Sequence, residues 1–154
     1  MLRFAFYKAP GTATDKLIRL ASRSPYSHVE FVMGGTCISA SKRDGGKVRE
    51  KQITFRPGHW DFVEVAGDHA SASTFAAWMA AQAVPYCMLG AITSVTPFHL
   101  SRRGRVFCSE LMGLICNAGG HAIAEPWRLT PGELHDILTR VNARGLKNGR
   151  AIVR

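Results

Sequence analysis

The chain has 154 residues, with 20 Lys and Arg against 11 Asp and Glu, a formal net charge of +9 and a pI near 10.0. That length suits one domain spanning 1–154, and 46% apolar with 20% charged residues excludes a disordered or collagen-like chain. Met1 to Lys8 is broken by Arg3 and has no signal-peptide h-region, and the weakly polar stretch Ala70 to Val95 is interrupted by Ser71, Ser73, Gln82 and Pro85, so neither a secretory signal nor a transmembrane helix is expected.

Leu2 to Tyr7 alternates large apolar residues and reads as a first strand, which Pro10-Gly11 ends. Thr14 is placed to cap a following helix whose Leu17, Ile18, Leu20 and Ala21 make an apolar stripe expected to pack on the sheet, until Ser24-Pro25 stops it. His28 to Met33 is a strand with Val29, Phe31 and Met33 on one face and His28, Glu30 and Val32 on the other. Gly34-Gly35 turns the chain into Thr36 to Ser41, and Asp44-Gly45-Gly46 makes the next turn. Two short strands are expected at Lys51 to Phe55 and Asp61 to Val65, separated by Arg56-Pro57-Gly58.

The second half is mostly helical. Ser71 or Ser73 can cap a helix through Ala83 with Phe75, Trp78 and Met79 as its large packing residues, and Tyr86 to about Val95 reads as a second helical segment. Residues 96–105 read as a polar, basic loop. Leu111, Leu114 and Ile115 then recur at helical spacing until Gly119-Gly120, which puts Cys108 near a helix start, and Thr130-Pro131-Gly132-Glu133 is a capping box opening a last helix through about Val141. The reading is a single α+β domain, a small antiparallel sheet packed against helices, with a basic C-terminal tail at about 142–154.

Four cysteines, Cys37, Cys87, Cys108 and Cys116, form no CxxC pair and no zinc-ligand spacing with the histidines, so reduced thiols are expected, and no metal or cofactor. At a helix start, unpaired N–H groups and the positive end of the dipole favour a thiolate, and the N–H of Cys108 can donate to an oxyanion on an attacked carbonyl. The same position equally suits a packed core thiol. His28, on a regular strand, is the natural proton acceptor for Cys108. A third group should orient the imidazole. Glu30 has the right charge two positions along the strand, Ser39 on the returning strand offers a hydroxyl, and Ser41 and Asp44 are held in reserve. Arg140, Arg144, Lys147, Arg150 and Arg154 concentrate positive charge at the C-terminus, a surface for nucleic acid, lipid headgroups or wall polymer, although no aromatic residue stands among them to stack bases.

Tyr26-Ser27-His28-Val29-Glu30-Phe31-Val32, then Ile38-Ser39-Ala40-Ser41, and roughly eighty residues after the histidine Phe107-Cys108-Ser109-Glu110-Leu111, together resemble the permuted branch of the NlpC-type papain-like superfamily. In that branch the histidine strand precedes the cysteine helix. It includes the YiiX and YaeF type bacterial amidases and, more distantly, the lecithin retinol acyltransferase group. The chain also resembles small proteins of tailed bacteriophages and prophages that carry a Ser-His-Val-Glu strand, an Arg-Asp-Gly-Gly turn and a Cys-Ser-Glu helix. The resemblance implies Cys108 as nucleophile, His28 as base, and hydrolysis of an amide bond, with cell-wall peptide the expected substrate. It further implies a chain made in the cytoplasm and either carried by a virion or delivered to the wall by a partner. Ser39 departs from the family pattern, which puts a second His or another strongly polar residue there. Two alternatives stay open: a lipid acyltransferase or deacylase using the same pair on an ester, and a non-catalytic virion or nucleic-acid binding module in which Cys108 is merely packed.

Overall fold

The structure is a computed structural model and describes residues 1–94 and 103–147. Five strands, β1 (Leu2–Tyr7), β2 (His28–Met33), β3 (Thr36–Ser41), β4 (Lys47–Lys51) and β5 (Trp60–Val65), form one antiparallel sheet in the order β4-β3-β2-β1-β5. Helices α1 (Ala13–Ser22), α2 (His69–Ala81), α3 (Met88–Thr93), α4 (Cys108–Ala118) and α5 (Pro131–Lys147) surround it, with a short 3-10 turn at Pro126–Arg128. The architecture is α+β, as expected.

Alternation assigns Leu2, Phe4, Phe6, Val29, Phe31, Ile38, Ala40, Val48, Val63 and Val65 to one face, and all are buried. Leu111, Met112, Ile115 and Cys116 of α4, Ala72, Ala76 and Met79 of α2, and Leu134 and Leu138 of α5 close on that face as one core. Each large side chain fully buried there contributes about 1.5–3 kcal/mol, which fixes α4 on β2 and β3.

Several boundaries differ from the sequence reading, each for a local reason. The expected strand Lys51 to Phe55 is displaced to Lys47–Lys51. Gly45 and Gly46 take positive φ (82° and 66°), so the turn closes at once and Ser41 pairs with Lys47. Gln52 to Phe55 instead leaves the sheet, and Phe55 packs edge-on against Trp60 and Phe62. Helix α1 is capped by Thr12, not Thr14, because Asp15 completes the reciprocal box with Thr12. Its apolar stripe does not pack on the sheet: its buried residue is Asp15, and Leu17 and Leu20 are exposed. Asp68, not Ser71 or Ser73, caps α2, which stops before Ala83 (φ 48°), and Trp78 points outward. Helix α3 is shorter than Tyr86 to Val95 because Val84–Cys87 is extended. The box at Thr130 and Glu133 forms as expected, and α5 continues past Val141 to Lys147, so the first part of the expected tail is helical. Val95, most of the expected loop 96–105, and Arg150 and Arg154 lie outside the described residues. Among the described residues no helix is long and apolar enough to cross a membrane.

Candidate active site

The second face of the sheet is buried at its centre, where it carries polar groups, while Arg3, Lys47, Lys51, Phe62 and Glu64 at its margins are exposed. Glu30, Ser39 and Arg49 lie on it at 1%, 0% and 9% exposure. Ser39 pairs with Arg49 across β3 and β4, and one step beyond the Phe31–Ile38 pair sets Ser39 beside Glu30. The small serine leaves room for the Arg49 guanidinium to cross β3. It reaches both Glu30 oxygens, at 2.7 and 2.6 Å, in a bidentate pair. Arg49 also donates to Asp44 at 2.7 Å, and Lys51 donates to both oxygens of Asp44 at 2.8 Å.

At the end of β2, His28 Nε2 lies 2.8 Å from Glu30 Oε1, leaving Nδ1 for a second partner. Cys108 lines the same cavity as His28, and its thiol acts on the imidazole electrostatically. Cys108 is the first residue of α4, where the N–H of the first turn has no intrahelical acceptor. The start of α4 is pinned by Ser109, whose hydroxyl donates to the Leu129 carbonyl at 2.6 Å, and by the Phe107 N–H, which donates to Glu110 at 3.4 Å. Two strand residues and one helix residue thus form a single polar run.

The electrostatics follow. Burial pulls His28 down, but the hydrogen bond and charge of Cys108, then those of Glu30, outweigh it and lift the imidazolium to about 9. Glu30 is pushed up by burial, yet its bonds to Arg49 and His28 hold it below the ordinary carboxylate range. Asp44 is held at about 2 against its own desolvation by Lys51 and Arg49.

No family model, curated protein or solved structure matches the chain. The site stands on its own geometry. Cys108 and His28 line a cavity of about 300 Å³ with Ile18, Ser27, Arg43 and Tyr86, and His28, Ser41 and Arg43 also border a second cavity of about 420 Å³ that reaches Glu30 and Arg49. Of the residues singled out from sequence, Cys108, His28 and Glu30 come together. Ser39 does not reach the imidazole: its hydroxyl donates to the Val29 carbonyl at 2.7 Å. Ser41 lines both cavities beside His28, and Asp44 joins the run only through Arg49. All four cysteines are free; burial pushes Cys37 up to about 11 and Cys116 up to about 12, as core thiols. Arg140 and Arg144 are exposed near the end of α5. Among the described residues, no group of His, Cys, Asp and Glu is placed to hold a metal ion.

Two participants were missed from sequence. Arg49 is hidden in a charge-rich strand, and the signal for it is indirect: a carboxylate facing inward on β2 needs a buried cation. Tyr86 is the other. Val84–Cys87 runs extended between the β4 edge and Val106, with bonds from Val48 N–H to Val84, Tyr86 N–H to Gly46 and Cys87 N–H to Val106, each 2.8 Å. This strap covers the free edge of β4 and brings the Tyr86 phenol to the Cys108 cavity. Burial first, then the charges of Cys108 and Cys87, hold that phenol above its ordinary value of 10.0, so it remains a proton donor. Pro85, which biases Val84 toward extended backbone, was the available signal.

Proposed function

We propose that the chain is a cysteine-dependent hydrolase of amide bonds, built on the permuted papain-like plan, with Cys108 as nucleophile, His28 as general base and acid, and Glu30 as the group that orients the imidazole. The observation that carries this reading is one cavity lined by both Cys108 and His28, with the imidazole bonded to the buried Glu30 carboxylate.

The Cys108 proton passes to His28, and the sulfur attacks the substrate carbonyl carbon. The oxygen becomes an oxyanion, for which the Cys108 backbone N–H and the Tyr86 phenol are the available donors. As the carbon–nitrogen bond breaks, His28 gives its proton to the leaving amine, and the acyl group remains as a thioester on Cys108. His28 then takes a proton from water, which attacks the thioester, and the free acid and the thiol are restored. Glu30, locked by Arg49, holds the ring through the cycle and favours its charged form. Cell-wall peptide is the proposed substrate class. Its support is the resemblance of the Ser27–Glu30 and Cys108–Glu110 segments.

The test is twofold. Iodoacetamide should label Cys108 in preference to Cys37, Cys87 and Cys116, and His28→Ala should slow that labelling at pH 7 by about ten-fold or more. Wall fragments incubated with the native chain should release new amines, with a thioester on Cys108 detectable by mass spectrometry and lost in Cys108→Ala. An inert Cys108, or labelling that ignores His28, would end this reading.

A further inference from the structure

Helices α1 and α3 both border the Cys108 cavity, α1 through Ile18 and α3 through Met88, and both turn apolar side chains to solvent. Leu20 is 79% exposed, Leu17 53%, Ile92 42% and Leu89 37%. In α1 the usual orientation of an amphipathic helix is reversed. Its attachments are polar: Arg19 donates to the carbonyls of Lys8 at 2.9 Å and Ala9 at 2.6 Å, and Asp15 is the buried residue. The leucines at i and i+3 are left on the outer side.

The charges around these helices are of one sign. Lys16 and Arg23 on and beside α1, Lys42 and Arg43 at the cavity, and Arg105 beside Leu89 and Ile92 are all exposed. Asp15, the acid of α1, is buried and faces Arg43 at 3.5 Å, and α3 has no acidic residue. The exposed carboxylates among the described residues are Glu50, Glu64, Asp68, Glu125, Glu133 and Asp136, all on other elements. Apolar side chains set among cations, with the acids elsewhere, match the surface of a bilayer that carries anionic lipid: leucines enter the boundary between headgroups and acyl chains while the cations meet the headgroups.

We propose that α1 and α3 form a docking rim that seats the Cys108 cavity on an anionic membrane surface. The reaction would then take substrates presented at that surface, an extension that takes from the hydrolase reading only the identity of the cavity.

Flotation of the full chain, native and Cys108→Ala, with phosphatidylcholine vesicles made with and without phosphatidylglycerol tests it. Both forms should float with the anionic vesicles and not with the neutral ones. Leu17→Glu with Leu20→Glu should lower that binding by about ten-fold or more, at unchanged thermal unfolding and unchanged iodoacetamide labelling of Cys108. Lys42→Gln with Arg43→Gln should weaken it several-fold and flatten its salt dependence. Failure to float with anionic vesicles, or equal flotation of the double-glutamate variant, would overturn the proposal. So would a concentration-dependent dimer that the glutamates dissolve, since the face would then belong to a second copy. Reactive Cys108 without vesicle binding removes the docking rim alone, whereas vesicle binding with an inert Cys108 upholds the rim and removes the hydrolase.

Discussion

The two faces of the sheet are chemically opposite, and the second is dry only at its centre. One packs Phe4, Phe31, Ile38 and Val48 against α2, α4 and α5 and is held by burial alone. The other buries Glu30 at 1% and Arg49 at 9% exposure in a charge network and ends at the imidazole facing Cys108. An apolar layer would make the second face at least as stable, because desolvating a charge pair offsets most of its attraction. The network's distinctive product is orientation: it fixes one imidazole relative to one thiol.

The largest expected effect lies on the polar face and in activity. His28→Ala should lower turnover of any amide substrate by about 10³-fold or more, and should also lower the melting temperature at pH values below about 9, where the raised imidazole contributes stability. Next comes Arg49→Ala, which strands a buried carboxylate and should cost about 3–5 kcal/mol in urea unfolding. Phe31→Ala, on the apolar face, should cost a similar ~3–5 kcal/mol through its cavity. The two differ in their rescue. Glu30→Leu combined with Arg49→Met should return near-native stability and still lack activity, whereas no polar partner restores Phe31→Ala. A double variant that remained as unstable as Arg49→Ala would show that the network is structural, and the contrast between the faces would fail.

The same contrast marks what could be read from sequence. Alternation in Leu2 to Tyr7 and His28 to Met33 placed the apolar face correctly because hydrophobic burial is a per-residue property with a fixed period. The polar face depends on pairs. Glu30 and Arg49 are separated by a strand and two turns, and nothing local in Lys47–Lys51 distinguishes an inward arginine from a solvated one. Beta propensity alone favoured Ile53, Thr54 and Phe55, so the fourth strand was expected too late. Helix α1 failed for a related reason. Its leucine stripe is real, but Asp15 and Arg19 find partners on the body and turn the stripe outward. His28 and Cys108 were legible as types of residue at suitable positions, and their meeting depends on α4 crossing β2.

The pH dependence sharpens the comparison, since the hydrogen-bonded pair His28 and Glu30 lies on the polar face. The His28 value, raised from 6.5 to about 9, means that its contribution to stability is complete below about 6.5 and is lost as pH rises through 9. Glu30 is shifted down, so its contribution is present above its ordinary 4.5 and is lost as pH falls through the lower folded value. Thermal unfolding from pH 4 to 10 should therefore show a plateau with losses at both ends. Cys108→Ala removes two of the influences that raise His28 and leaves burial, which lowers it, against Glu30, which raises it. The alkaline limb, and the His28 ring resonances in an NMR titration, should move down from about 9, and a His28 resonance unmoved by that substitution would mean that the thiol does not act on the ring.

The smallest effect belongs to Ser39, and it separates two roles for a hydroxyl at the centre of the polar face. Were Ser39 the group that orients His28, Ser39→Ala would cut activity deeply. Its hydroxyl instead donates to the Val29 carbonyl at 2.7 Å, and its smallness lets Arg49 pass to Glu30. Alanine keeps the room and loses one hydrogen bond, so unfolding should show a cost of about 0.5–1.5 kcal/mol, with turnover within a few-fold of native. Ser39→Val restores no hydroxyl and adds two methyl groups in the path of the guanidinium. It should break the Arg49–Glu30 pair, lose several-fold more activity than Ser39→Ala, and lower the His28 titration with it. If the two substitutions proved equivalent in activity, the hydroxyl and not the space would matter at position 39, and the route by which the charge network reaches the imidazole would have to be redrawn.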